Sequence, residues 1–297
     1  MNVDFSTLAQ PKMIEEIDFE ALLAERKSAF LALWDDEKRP ALEATLARES
    51  EPLTKLLEES CYREMILRNR INQAALSTLL AFATGTDLDN LAANFNTQRL
   101  LISAAEPSQN LSAVYESDDA LRRRVLLSFE ALSVAGPKQA YIYHTLSADG
   151  RVADASATSP APAEALITVL QTDSADGTAE QALIDIVNDA LNDESIRPVG
   201  DRVTVQSAEI IDYQIEAILY VERIAEHATL LAEANQRISE YAYANRRLGR
   251  SIYLSQLYAL LTVGGVVRVE ITSPSADILL TAEQATRCTN INVSIGS

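Results

Sequence analysis

The sequence predicts an α+β chain: a helical N-terminal part with one long helix, followed by two small open α/β units with helices packed on short sheets. Three observations predict it. From Glu51-Pro52 to Ala83, apolar residues recur at helical spacing over a long run. Beyond residue 150, β-branched segments alternate with amphipathic helices and Gly/Pro turns, the order expected of short sheets covered on one face. Between them, Tyr115 to Val152 joins a helix start, a helical stripe, a Gly-Pro stop, a second helix and a first strand. The expected divisions are an N-terminal arm with short helices over 1–50 and a long assembly helix with its connector over 51–110. A helical linker region over 111–150, a first β-α-β unit over 151–208 and a second α/β unit over 209–297 complete the chain.

The chain to about Lys12 reads as an extended arm. Asp18 to Leu33 reads as a helix that turns Phe19, Leu22, Leu23, Phe30 and Leu33 toward a partner surface. Trp34 is the single tryptophan and stands beside Asp35, Asp36 and Glu37. That carboxylate run reads as a solvated helix end, not a metal site, with Trp34 as a packing anchor or an interface residue. Ala41 to Arg48 is a short helix. In the long helix, Leu53, Leu56, Leu57, Leu67, Ile71, Ala74, Ala75, Leu79 and Phe82 form a broad apolar face. Glu64 and Arg68 stand at the i,i+4 spacing of a surface ion pair, worth about 0.3–0.5 kcal/mol. The helix either braces its own domain or serves as an assembly helix with polar specificity positions. On the second reading its partner-binding residues are Leu57, Glu64, Leu67, Arg68, Ile71 and Ala75.

Thr84-Gly85 ends that helix, and Asp87 to Leu91 opens another. Asp87 and Asp89 resemble half a calcium loop, but the glycine and closing glutamate are missing, so capping is the better account. Asn94 to Asn110 reads as a poorly structured connector. Ser117 or Asp118 caps the next helix, whose face carries Leu121, Val125, Leu126, Phe129 and Leu132, with Arg122, Arg123 and Arg124 beside and behind it. Gly136-Pro137 stops it, and Lys138 to Leu146 is the following helix. Strands are expected at Val152–Ser156, Ala165–Gln171 and Val203–Gln206, with a helix at Ala179–Asp193. Asp173, Asp176 and Gly177 read as a plain turn. The second unit is expected to hold a strand at Ile210–Arg223, helices at His227–Leu248 and Leu254–Leu261, a strand at Val266–Ile271 stopped by Pro274, and an edge strand at Asn290–Ile295.

Composition narrows the function. Of 297 residues, 47% are hydrophobic, enough to build cores, and the formal net charge is −18, with 43 acidic against 25 basic residues. An affinity resting on phosphate neutralisation is therefore not expected, and nucleic acid is not a partner. Cys61 and Cys288 are far apart and read as small buried hydrophobes. The N-terminus lacks the basic and apolar regions of a signal peptide, and the run Ile252–Val267 is too short to span a bilayer, so a soluble protein with no membrane partner is expected.

Chemistry is not in view. His144 and His227, the two histidines, have no partner at metal-ligand spacing. There is no HExxH, GxSxG, P-loop or GxGxxG, and nine glycines are too scattered to build a phosphate cradle. No catalytic residue, cofactor or metal is expected. The basic clusters are Arg122-Arg123-Arg124 and Arg246-Arg247 with Arg250. They either meet an acidic face of a neighbour, another copy included, or pair within the chain.

The central stretch resembles the signature of the baseplate J-like proteins of contractile tails. The matching pieces are Glu116-Ser117-Asp118, Leu121-Arg122-x-Arg124, Ser133-x-Ala135-Gly136 and Ala140-Tyr141. Further blocks are similar: Tyr62 to Ala92, the RPVGDRV run from Arg197, and Gly264-Gly265-Val266 leading to Pro274 and Asp277. The resemblance covers most of the chain beyond about residue 50. It implies a structural virion protein of the tail baseplate, assembled in the host cytoplasm, that forms wedges and links with other copies of itself as an inner ring round the central spike. It further implies that N-terminal helices bundle with a tail protein I-like wedge subunit, beside a W-like baseplate protein that leads to the sheath. The region before about Pro40 carries no matching motif. From a different class, the alternative is a soluble adaptor or scaffold that binds one partner through its long helix. A closed ring of copies separates the two, since an adaptor has no need of defined symmetry.

Overall fold

The computed structural model describes residues 8, 9, 11–133, 135–221 and 227–296. Most of the expected N-terminal arm and the end of the expected Ile210–Arg223 strand lie outside them. The chain divides into two units, Met1–Asn94 and Phe95–Ser297.

The first unit is helical. α1 (Phe19–Ala32) starts at Asp18, whose carboxylate accepts the Glu20 and Ala21 amides at 2.9 and 3.3 Å. α2 (Arg39–Leu46) follows, and α3 (Pro52–Ser77) runs for 26 residues with Pro at its first turn. α3 ends at Ser77 and does not reach Ala83. The Ser77 and Thr78 hydroxyls donate to the carbonyls of Ala74 and Ala75 at 3.0 and 2.8 Å, and this competition turns the chain. α4 (Gly85–Ala93) closes the unit, with Asp87 in its first turn and Leu88 buried.

The buried side of α3 is more polar than its apolar count suggests. Thr54, Cys61 and Asn72 are its buried residues, and α1 packs along it. Thr54 donates to the Leu46 carbonyl at 3.3 Å and pins the end of α2. Asn72 holds the segment before α1 at both polar groups of one residue: its Oδ1 accepts the Glu15 amide at 3.1 Å and its Nδ2 donates to the Glu15 carbonyl at 2.8 Å.

The second unit begins with a short ribbon, β1 (Leu101–Ser103) against β2 (Val114–Tyr115), where the sequence suggested an irregular connector. Its pairing is non-local and too short to leave a period in the sequence. A Cβ on Gly150 would collide with the Leu101 carbonyl, so glycine lets the turn lie against the ribbon. α5 (Asp118–Leu127) is capped by Ser117 and tightens into a 3₁₀ turn over Ser128–Leu132. That change of pitch moves the expected stripe. Leu121, Val125 and Leu127 are buried, whereas Phe129 and Leu132 face out at 65% and 78% exposure. α6 (Lys138–Ala148) then leads into the sheets.

The first sheet has order β3 (Val152–Thr158), β4 (Glu164–Gln171), β5 (Arg202–Ser207). β3 is antiparallel to β4, and β4 is parallel to β5 across α7 (Gln181–Leu191). α6 and α7 cover it through Leu146, Ile167, Val169, Leu183 and Val187. The second sheet has β6 (Glu209–Val221) at its centre, antiparallel to β7 (Val266–Ser273) and parallel to β8 (Gln284–Ile295). α8 (His227–Ala244) and α9 (Leu254–Leu261) pack on it through Ile215, Leu219, Ile238 and Leu257. α8 stops before the expected Leu248, and β8 starts before the expected Asn290, where Gln284–Thr289 has too many polar residues to read as a strand. Only the buried Ala208 separates β5 from β6. It packs with Leu170 and Ala285, so the two sheets share a small core of their own.

Asn72→Ala should lower the stability of the chain by about 1 kcal/mol or more, because two part-buried hydrogen bonds to the Glu15 peptide groups are lost. Urea unfolding would show the loss, with faster amide exchange at Glu15; an unchanged midpoint and exchange rate would mean that water replaces the clamp.

Candidate functional site

α3 presents two different faces. Toward α1, Glu64 pairs with Arg26, and Arg68 bridges Glu64 at 2.7 Å and Glu15 at 2.9 Å. The i,i+4 pair expected from the sequence therefore forms, as part of a larger network that ties α3 to α1. Leu57 and Ala75 are half-buried at the margin. On the other side Leu56, Leu67 and Ile71 are exposed at 63%, 61% and 58%, flanked by Ile66 and Tyr62. Of the six partner-binding candidates, two present apolar surface to solvent, and Glu64 and Arg68 are engaged within the chain. Trp34 is 39% exposed, tilted against Phe30, and Asp35 and Asp36 pair with Lys38 and Arg39.

In the second unit the Glu116–Arg124 stretch forms an ionic centre. Glu116 and Arg124 are buried at 7% and 4% exposure. Arg124 donates to Glu116 at 2.8 Å and to the Gln98 carbonyl at 3.1 and 3.0 Å. Glu116 also accepts the Leu100 amide at 3.0 Å. Arg99 spans the Glu116 carbonyl at 2.8 Å and the Asp118 carboxylate at 2.7 Å. Burial holds the Glu116 carboxyl above its ordinary pKa, although Arg124 pulls it down. The arrangement fixes the ribbon to α5 and offers no free nucleophile or base.

Two of the distant sequence blocks meet here. Gly136 has φ +69°, and a Cβ there would approach Pro198 Cγ at 2.8 Å and Asp201 Oδ2 at 2.9 Å. Tyr141 donates to Asp201 at 2.8 Å, and burial followed by that carboxylate raises its phenol pKa. The Ala135–Tyr141 stretch thus seats the Arg197–Asp201 turn that leads into β5. Asp154 was not singled out in the sequence: it stands as one carboxylate in the otherwise small-residue strand β3. It is buried, meets Arg123 at 2.7 Å and accepts the Leu248 amide at 3.0 Å, so it joins α5, the first sheet and the chain after α8.

Arg123 and Arg124 of one arginine cluster and Arg246 and Arg247 of the other, far apart in sequence, line one cleft of about 500 Å³ with Tyr115 and Tyr243 among its walls. Arg122, Arg123 and Arg124 each pair with a carboxylate of the chain, Asp119, Asp154 and Glu116 in turn. His144 is half-buried with its ring edge-on to Tyr143 and its pKa lowered by burial. Asp176 holds a turn through the Thr178 amide, Cys61 is fully buried and Cys288 half-buried. Among the described residues no three His, Cys, Asp or Glu stand together as metal ligands, and no helix is long and apolar enough to cross a membrane.

Arg124→Ala should cost about 3–5 kcal/mol, since it strands a buried carboxylate, whereas Arg237→Ala, which breaks the half-exposed Glu233 pair, should stay within about 1 kcal/mol. Urea midpoints compare the two. A pH series isolates Glu116. With its folded pKa raised, the unfolded chain releases this proton first as pH rises, and stability falls through that window. Glu116→Gln has no proton to release, so it should gain stability relative to wild type as pH rises above the ordinary carboxylate pKa of about 4.3. A difference that stays flat or reverses would put the folded pKa at or below the ordinary one.

Comparison with known proteins places the chain. Models of the Baseplate J-like N-terminal domain, the Baseplate J-like central domain and the Baseplate J-like protein C-terminal domain match residues 49–106, 133–207 and 213–294. The chain is 49% identical over 296 residues to Baseplate protein J of Escherichia phage P2, across 99% of this chain and 98% of that protein. A cryo-EM structure of the anti-feeding prophage (AFP) baseplate, 6-fold symmetrised, aligns with TM-score 0.43 and 12% identity over 65% of this chain; the chain spans about half of that one, 48%. With the three parts matched in order and near-complete coverage at this identity, the chain belongs to the baseplate J-like family, structural components of phage tail baseplates and not enzymes.

Proposed function

We propose that this chain is a wedge subunit of a contractile tail baseplate, linked with other copies of itself in an inner ring round the central spike. In that ring it transmits the rearrangement that triggers sheath contraction. Its partners are a tail protein I-like wedge subunit and a W-like protein leading to the sheath, and assembly takes place in the host cytoplasm. The observation that carries this reading is the outward face of α3. A helix of 26 residues is anchored on one side by ion pairs and a buried Asn, and leaves Leu56, Leu67 and Ile71 uncovered on the other. Large apolar side chains at helical spacing are what a neighbouring helix packs against.

On this reading Leu67 and Ile71 contact the helix of the I-like partner. Glu64 and Arg68 fix the presenting face against α1, and Leu57 and Ala75 border the contact. The two α/β lobes serve contacts between copies and between wedges, and the five divisions expected from the sequence correspond to these roles. A ring that holds and then rearranges needs interfaces with two arrangements of small free-energy difference, and no covalent chemistry.

Co-expression with the neighbouring tail genes, followed by size-exclusion chromatography with light scattering, tests the assignment. The expected product is a stable hetero-complex containing more than one copy of this chain. Leu67→Glu with Ile71→Glu should abolish it while leaving the circular dichroism and melting of the isolated chain nearly unchanged, because both positions face solvent. A normal wedge from the double variant would remove α3 from the interface. A lone wild-type monomer that ignores its neighbours would sink the wedge reading.

A further inference from the structure

The cleft that gathers the two arginine clusters has a charge imbalance that the wedge reading does not use. Arg123 and Arg124 are each neutralised within the chain, by Asp154 and Glu116. Arg246 and Arg247, just past the end of α8, are not. The guanidinium of Arg246 reaches a main-chain carbonyl, that of Ser174, at 3.4 Å. Arg247 is half-buried, and among the described residues no carboxylate lies within ion-pair distance of either side chain. Burial and the like charges of Arg123 and Arg250 lower the Arg247 pKa, outweighing the longer-range pull of Asp154 and Asp119, both of which are already paired with Arg123 and Arg122. A guanidinium kept at such a place is poised to gain from an incoming anion.

The surroundings select the kind of anion. The formal net charge of −18 repels a nucleic acid, whose dense line of phosphates would extend far beyond the cleft. A short polypeptide segment brings only a few carboxylates, held within a Debye length of about 8 Å of the arginines. Carboxylates also match the planar two-pronged guanidinium. At the walls, Tyr115 and Tyr243 stand 55% and 85% exposed, offering hydroxyl donors and ring faces to a peptide backbone.

We infer that the cleft between α5, the first sheet and the chain after α8 is a docking site for an acidic segment of a neighbouring protein chain, whose carboxylates are held by Arg246 and Arg247. This inference does not rest on the wedge assignment, and its test needs no tail partner.

The full chain is titrated against a fluorescein-labelled hexaglutamate peptide by anisotropy, at low and at physiological salt. Saturable binding is expected that weakens with salt and falls by about tenfold or more in Arg246→Gln/Arg247→Gln. It should be unchanged in Arg268→Gln, which removes an exposed arginine elsewhere. A role confined to closing α8 would leave peptide affinity unaltered. No binding by the wild type, equal affinity in the double variant or equal loss in Arg268→Gln would overturn the proposal. So would displacement of the peptide by tripolyphosphate at far lower concentration than by unlabelled peptide, which would give the cleft to phosphate. Should the double variant fail to fold, Tyr243→Trp in the otherwise native chain reports directly: a saturable change in its fluorescence on adding peptide supports the site, and none refutes it.

Discussion

A carboxylate taken out of water must find a positive partner and hydrogen bonds, or it will not stay ionised. The larger unit of this chain is organised by two such carboxylates. Glu116 collects Arg124 and the Leu100 amide, and through them the ribbon and α5. Asp154 collects Arg123 and the Leu248 amide, and through them the first sheet and the chain after α8. The arginine run of α5 feeds both. Apolar packing stabilises each lobe, but it has no direction; the ionic contacts decide how the helical hub, the ribbon and the sheets are registered.

The smaller unit applies the same division differently. In α3 the polar side chains face inward along the seam with α1, and several of the large apolar ones face out. For an isolated protein this is the wrong way round, since exposed Leu and Ile are tolerated singly but not as a stripe. For a member of an assembling family it is coherent. Asn72 and the Glu64–Arg68 network fix the register of the seam at modest gain in stability, and the apolar face stays uncovered by the chain itself.

How much of this was readable from the sequence depended on locality. The Ser117 cap, the amphipathic α7 and the Glu64–Arg68 pair are set by neighbours within a few residues, and each is legible. The length of α3 was overestimated because Leu79 and Phe82 continue its apolar spacing, while the Ser77 and Thr78 hydroxyls that end it leave no pattern. The β1–β2 ribbon was invisible because it exists only through pairing across a loop and through Arg99 and Arg124. A 3.6 period groups Phe129 and Leu132 on one face with Leu121 and Val125, and the 3₁₀ turn breaks that period. The arginine clusters could be seen, but not that they share a cleft; that follows from the lobes packing on Asp154, a residue that looks in sequence like any polar position of a strand.

The junction at Ala208 bears on how a load passes through the molecule. The last strand of one sheet becomes the central strand of the next across one buried peptide, whose amide donates to Val169 of the first sheet at 2.9 Å. No slack segment has to be drawn tight before a displacement on one side is felt on the other. β4 with β5, and β6 with β8, run parallel, so a pull along either pair loads its ladder in shear, interrupted in the second at the bulge between Tyr213 and Gln214. The two sheets are therefore coupled through their own strands and the small core around Ala208, with no linker that would let one turn freely against the other.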